Sequence, residues 1–172
     1  MNSSYIRVGI IAVVAAALLA IGATISVQAR GEPDLAAVRA ATARFHRPEA
    51  AQAAGWVPVL GLDACFDNPG VGAMGYHYIN VGLLDTELDP ETPESLVYVP
   101  GPNRQLKLGA VEWIVPAAAW DALATGQPPQ VLGHQLHLNS SLGVYVLHAW
   151  IFKHNPSGMF EDWNPKVSCP SP

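Results

Sequence analysis

Residues 106–116 read LKLGAVEWIVP, a run rich in β-branched and aromatic side chains that holds one acid, Glu112, among apolar neighbours. A run of this composition ending at a proline reads as a buried β-strand. The same grammar recurs on both sides, so the strand candidates are Met74 to Val81, Ser95 to Val99, Gln105 to Val115, Val131 to Leu136 and Gly143 to Lys153. Strands this apolar on both faces call for closure or for cover on each side, because an open sheet would leave one face wet.

Ahead of the strands, Asp34 follows a proline and precedes Leu35, Val38, Ala41 and Phe45. That spacing describes an amphipathic helix capped by Asp34. Pro48 and Glu49 suit the first turn of a second short helix that Gly55 ends, with Trp56 returning to the core. A third short helix is expected over residues 116–123, with Pro116 in its first turn. The expected fold class is therefore α+β: an N-terminal helix or helix pair packed on a strongly curved or barrel-like, mainly antiparallel β-sheet.

Period-two alternation sorts the lone polar residues by face. Glu112 falls in line with Leu106, Leu108, Ala110 and Ile114, and His148 with Val144, Val146, Trp150 and Phe152. His77, in the run AMGYHYINV, falls in line with Gly75, Ile79 and Val81. Burying such groups costs free energy unless they are partnered or used. If the three rows face one interior, His77, Glu112 and His148 form a two-His-one-carboxylate set suited to divalent Fe, Mn or Zn, with open positions for Lewis-acid or oxygen chemistry.

His134 and His137 enlarge the pool of ligands. On one strand they would point to opposite faces, so at most one joins, and His137 is preferred because it lies nearer the polar stretch Asn139-Ser140-Ser141. Tyr76, Tyr78, Asn80 and Trp150 are expected nearby as contacts to the ligands or to a bound molecule. Two alternatives stand beside the metal centre: a module binding a small hydrophobic ligand that the His/Glu set orients, and a purely structural domain in which a buried His and Glu hydrogen-bond across neighbouring strands.

The chain starts with a short cationic segment to Arg7 and an apolar stretch from Val8 to Val27, which reads as an export signal; Val27-Gln28-Ala29 favours cleavage after Ala29. Residues 1–29 are then a signal peptide and residues 30–172 one globular domain. The stretch is also long enough to span a bilayer, so an uncleaved anchor is the alternative, and contact with membrane is expected only in that case. Export to the periplasm, the cell envelope or the medium follows in either form. Cys65 and Cys169, the two cysteines of the chain, are expected to pair as a disulfide there.

Removing Arg7 with the leader takes the formal charge from −5 to −6. This acidic balance disfavours nucleic acid as a partner and leaves a small molecule as the possible one. Residues 85–94 carry five acids but lack the glycine and ligand order of a calcium loop, so they read as a solvated acidic loop. No P-loop, dinucleotide fingerprint, zincin helix, heme-attachment motif or nucleophile elbow is present.

The blocks AATARFHRPEAAQAAGW (40–56), MGYHYIN (74–80), LVYVP (96–100), LGAVEWIVP (108–116) and LHAWIFKHNPSGMFEDWNPKVSC (147–169) together resemble an uncharacterised family of small exported bacterial proteins. The resemblance implies export from a bacterial cell and carries no activity with it. The C-terminal block, with two Asn-Pro turns at Asn155 and Asn164 and Met159, Phe160 and Trp163 between them, is expected to form an ordered lid or plug over one end of the core.

Overall fold

The structure, a computed structural model, describes residues 31–170; the expected signal peptide and the choice between cleavage and anchoring lie outside the described residues. Helix α1 (Gly31–Thr42) and α2 (Pro48–Ala53) precede strands β1 (Val57–Pro58), β2 (Phe66–Asn68), β3 (Gly72–Ile79), β4 (Ser95–Pro100) and β5 (Leu106–Pro116). There follow α3 (Ala117–Asp121), β6 (Gln130–Val131), β7 (His134–Gln135), β8 (His137–Asn139) and β9 (Val144–Ala149). Among the described residues no helix is long and apolar enough to cross a membrane.

The fold is α+β around one antiparallel sheet in the order β1-β3-β4-β5-β9-β8, with β2 also paired to β3. No closed barrel forms among the described residues, since the sheet path ends at β1 and at β8. Cover on both faces takes the place of closure. Val38, Phe45, Ala51 and Trp56 from the helical segment bury against Tyr78, Tyr98, Val111 and Trp113 on one face. The Tyr98 hydroxyl donates to Phe45 O at 2.6 Å, and Trp56 Nε1 donates to Pro93 O at 2.9 Å, which locks the helices to the sheet.

The opposite face has two apolar clusters with the polar trio between them. Ala73, Val97, Val99, Ala110 and Trp150 pack against the C-terminal segment through Val167, while Ile79, Ile114 and Val146 pack with Leu62 and Leu84 from loops. The C-terminal segment is held by its Asn-Pro turns. Buried Asn155 Nδ2 donates to Trp163 O at 3.1 Å, Asn164 Nδ2 donates to His154 O at 3.2 Å, and Ala73 and Asn164 exchange backbone hydrogen bonds. A Cys65–Cys169 disulfide ties the end of this segment to the loop ahead of β2.

Several local expectations are corrected. Asp34 lies inside α1 and does not cap it. Residues 131–136 do not form one strand: Leu132, at φ +54°, and Gly133, at φ +78°, turn the chain back so that β6 and β7 make a separate two-stranded ribbon. The last strand stops at Ala149, because Trp150 N–H turns to Met159 O and the N–H groups of Phe152 and Lys153 both turn to Gly109 O.

The most consequential correction is at Gly109. Val97 pairs with Ala110 while the next residue, Tyr98, pairs with Leu108, so Gly109 is an extra residue bulged out of β5. A bulge shifts the alternation by one. Leu106 and Leu108 therefore join the helix-covered face, and Ala110, Glu112 and Ile114 hold the other. Glycine is required there, since a Cβ would sit 2.9 Å from Val99 Cγ1.

Candidate metal centre

Three strands supply the site. Glu112 on β5 stands directly opposite His148 on β9, and directly opposite Ser95 on β4 on its other side. His77 on β3 reaches over β4 from two residues further along, beside Val97. Placing a small serine and a valine on the intervening strand leaves room for the imidazole and carboxylate to meet above it. His77 Nε2 lies 3.5 Å from Glu112 Oε2, and His77, Glu112 and His148 can each offer a ligand atom such that all three lie within 4.8 Å of one another.

All three side chains are buried, His148 completely. Burial pushes the Glu112 carboxyl up to about 8, helped by the negative charges of Asp162 and Glu94, and brings the His77 imidazole down to about 4. His148 is held well below its ordinary value by burial, then by His77 and His137. At neutral pH the trio is thus uncharged, because desolvation outweighs the attraction an imidazolium–carboxylate pair would gain.

Neutrality does not satisfy the trio. Both ring nitrogens of His148, Nδ1 of His77 and the Ser95 hydroxyl are buried without a protein hydrogen-bond partner. A buried donor or acceptor left unmade costs about 1–3 kcal/mol, and native interiors contain few of them. A hydrogen-bond network built for stability would have spent Glu112 on His148, its direct cross-strand neighbour. Instead both nitrogens of His148 are left available for another partner.

The group could hold a metal ion. Neutral imidazole nitrogens and a carboxylate oxygen are ligands for Zn, Fe or Mn, and two ligands at about 2.0–2.1 Å from a tetrahedral ion stand about 3.4 Å apart, close to the His77–Glu112 separation. Aromatic rings wall the centre. Trp150 stacks on His148 at 4.8 Å between ring centroids, and Phe66 meets His77 edge-on at 5.2 Å.

The remaining expected site residues divide sharply. Trp150 is in contact, as its stacking shows. Tyr76 and Tyr78 are corrected: they alternate with His77 and pack into the helix-covered core, where Tyr78 meets Tyr98 at 4.7 Å. Asn80 caps the turn after β3 by accepting from Gly82 N–H at 3.2 Å. His137 pairs with Val146 on β9, so it lies on the site's face of the sheet, but its Nε2 engages Asp162 at 3.2 Å. His134 is on the separate ribbon and packs on Phe160 at 3.9 Å.

Asp162, Ser95 and Glu94 also stand at the site, beyond the residues expected there. Asp162 comes from the C-terminal segment and has one carboxylate oxygen, Oδ1, buried without a partner. Burial raises its pKa against the pull of His137. Glu94 leaves the acidic loop for the interior, where its carboxylate accepts Ile114 N–H at 2.9 Å and burial pushes it up to about 7. The dipeptide Glu94-Ser95 standing directly before the apolar run LVYVP was the available signal for both.

Glu112 and His77 also border a cavity of about 200 Å³ under the loops carrying Leu62, Leu84 and Leu142. Compared with known proteins, the chain matches no protein-family model, no curated protein and no solved structure.

Proposed function

We propose that this protein is an exported metal-binding domain in which His77, Glu112 and His148 hold one divalent transition ion, with positions left open toward the adjoining cavity. The observation that carries this reading is His148: a fully buried imidazole with neither nitrogen bonded to protein. An ion would engage such a nitrogen and would hold Glu112 as the carboxylate that burial alone disfavours. The Cys65–Cys169 disulfide supports an oxidising compartment and hence the export reading.

Elemental analysis tests it, on protein exported through its own leader and purified without chelators or a histidine tag. About one equivalent of Zn, Fe or Mn per chain is expected, and it is lost in Glu112→Gln and in His148→Ala. Wild-type protein that stays metal-free after reconstitution with each of the three ions overturns the reading.

A further inference from the structure

The cavity beside the trio has a division of labour along its wall. Its polar contributors are His77, Glu112 and Asn139; the remainder is aliphatic, with Phe66 and Met74. His77 and Glu112 sit together, and His148 lies behind them and does not reach the wall. An ion held by the trio is therefore approached from this side, with Trp150 stacked against the far ligand. Asn139 stands apart from them, paired with Val144 four residues along β9 from His148, and its side-chain oxygen accepts Leu142 N–H at 3.2 Å.

Size and chemistry then limit the occupant. A dry cavity of about 150 Å³ lined by Leu, Ile and Phe takes up benzene, and this one, at about 200 Å³, is larger and similarly lined. Half-exposed Leu142 and partly exposed Val144 stand at its rim, which provides an entry without a large rearrangement. With His77 and Glu112 together at its inner end, and Asn139 paired with Val144 at the rim, the wall favours a molecule that turns one polar head inward.

We infer that the cavity is the ligand site of this centre. It takes a small molecule of about six to ten non-hydrogen atoms whose body is aromatic or branched aliphatic and whose single oxygen-bearing head faces His77 and Glu112. Val146, Ile114 and Ile79 on the strands and Leu62 and Leu84 on the loops hold the body. The placement of the head on an ion rests on the metal reading; the apolar selectivity of the body does not.

The test has two arms. In the first, metal-free protein is titrated with benzene, followed by ligand-observed NMR. Saturable binding is expected in wild type and its loss in Val144→Phe, which narrows the mouth, and in Leu62→Phe, a change in a loop outside the sheet that fills the cavity. No saturable binding by folded wild type, or binding undiminished in both folded variants, overturns the cavity proposal whatever the metal content.

In the second arm, zinc-loaded protein is titrated with acetohydroxamate, its longer-chain homologues and benzohydroxamate. Affinity is expected to rise about fourfold per added CH₂ until the cavity is full, and benzohydroxamate to bind at least tenfold tighter than acetohydroxamate. Equal affinity across the series shows that the head and the cavity are not aligned and overturns that part. Failure to load zinc at all counts against the metal reading alone, and the benzene arm still decides the cavity.

Discussion

His77 Nε2 and Glu112 Oε2 stand 3.5 Å apart although their strands are not neighbours: β4 runs between them. Contact across an intervening strand requires both side chains to rise over it, and Ser95 and Val97 are the residues that let them pass. With His148 opposite Glu112 on the far side, the trio spans four adjacent strands of the sheet while drawing on three of them. A site so placed inherits the rigidity of the sheet, and its chemistry is governed by burial.

That burial gives the metal-free protein a characteristic pH dependence. Glu112 and Glu94 have folded pKa values of about 8 and about 7 against an ordinary 4.5, so above 4.5 the unfolded chain releases protons that the fold keeps. Stability therefore falls as pH rises, by up to about 1.4 kcal/mol per pH unit for each carboxyl still protonated in the fold. His77, lowered from 6.5 to about 4, opposes this below pH 6.5, where the unfolded chain binds the extra proton. Urea denaturation of metal-free protein should thus show stability falling from pH 6.5 to pH 8. Glu112→Gln should flatten the slope between 7 and 8, and saturating zinc should flatten it likewise, since the ion holds Glu112 in the fold as the carboxylate it already is in the unfolded chain.

Removing the trio's polarity should help the metal-free fold. Glu112→Met replaces a buried carboxyl with a side chain of similar reach, and the expected outcome at pH 8 is a gain of about 1–3 kcal/mol together with complete loss of metal binding. If Glu112 were there to build a stabilising network, the same change would cost a similar amount. Chemical denaturation in the presence of a chelator separates the two.

The parts of this site that the sequence makes legible are those that period-two alternation can see. His77, Glu112 and His148 each interrupt an apolar run, and Ala73, Ala110, Ile114, Val144 and Val146 share their face as the alternation requires. Gly109 defeats the same rule, because LKLGAVE alternates plausibly whether or not one residue bulges, and the bulge moves Leu106 and Leu108 to the other face. Tyr76 and Tyr78 are close to His77 along the chain but not in space, because a strand sends neighbours to opposite faces. Asp162 is reached only through the long-range return of the C-terminal segment, and no local pattern announces such an approach.

Gly75 is the backbone position on which His77 depends. Its φ of +111° lies where side chains are strained, and a Cβ there would come within 2.4 Å of Tyr98 O on β4. Gly75→Ala should cost at least about 1–3 kcal/mol from strain, with the clash added, and should push β3 away from β4. Because His77 is two residues on, metal affinity should fall more than tenfold. Gly70→Ala is the comparison: φ is +83° but nothing lies within 4 Å, so stability should drop by about 1–2 kcal/mol with metal affinity unchanged.

The disulfide is the remaining restraint on the site, because the segment that carries Asp162 and packs Val167 over Trp150 ends at Cys169. Its partner Cys65 immediately precedes Phe66, the ring that meets His77. With the two cysteines 104 positions apart in sequence, cross-linking is expected to contribute about 4–5 kcal/mol through the unfolded chain. The double change Cys65→Ser with Cys169→Ser should lower stability by about 2–5 kcal/mol while leaving the Asn155 and Asn164 anchors to hold the segment in the folded state. Metal content of the folded variant should consequently remain near that of wild type even as its denaturation midpoint falls. Loss of metal without loss of stability would instead place the disulfide's effect in the folded site, through Phe66 and the C-terminal segment.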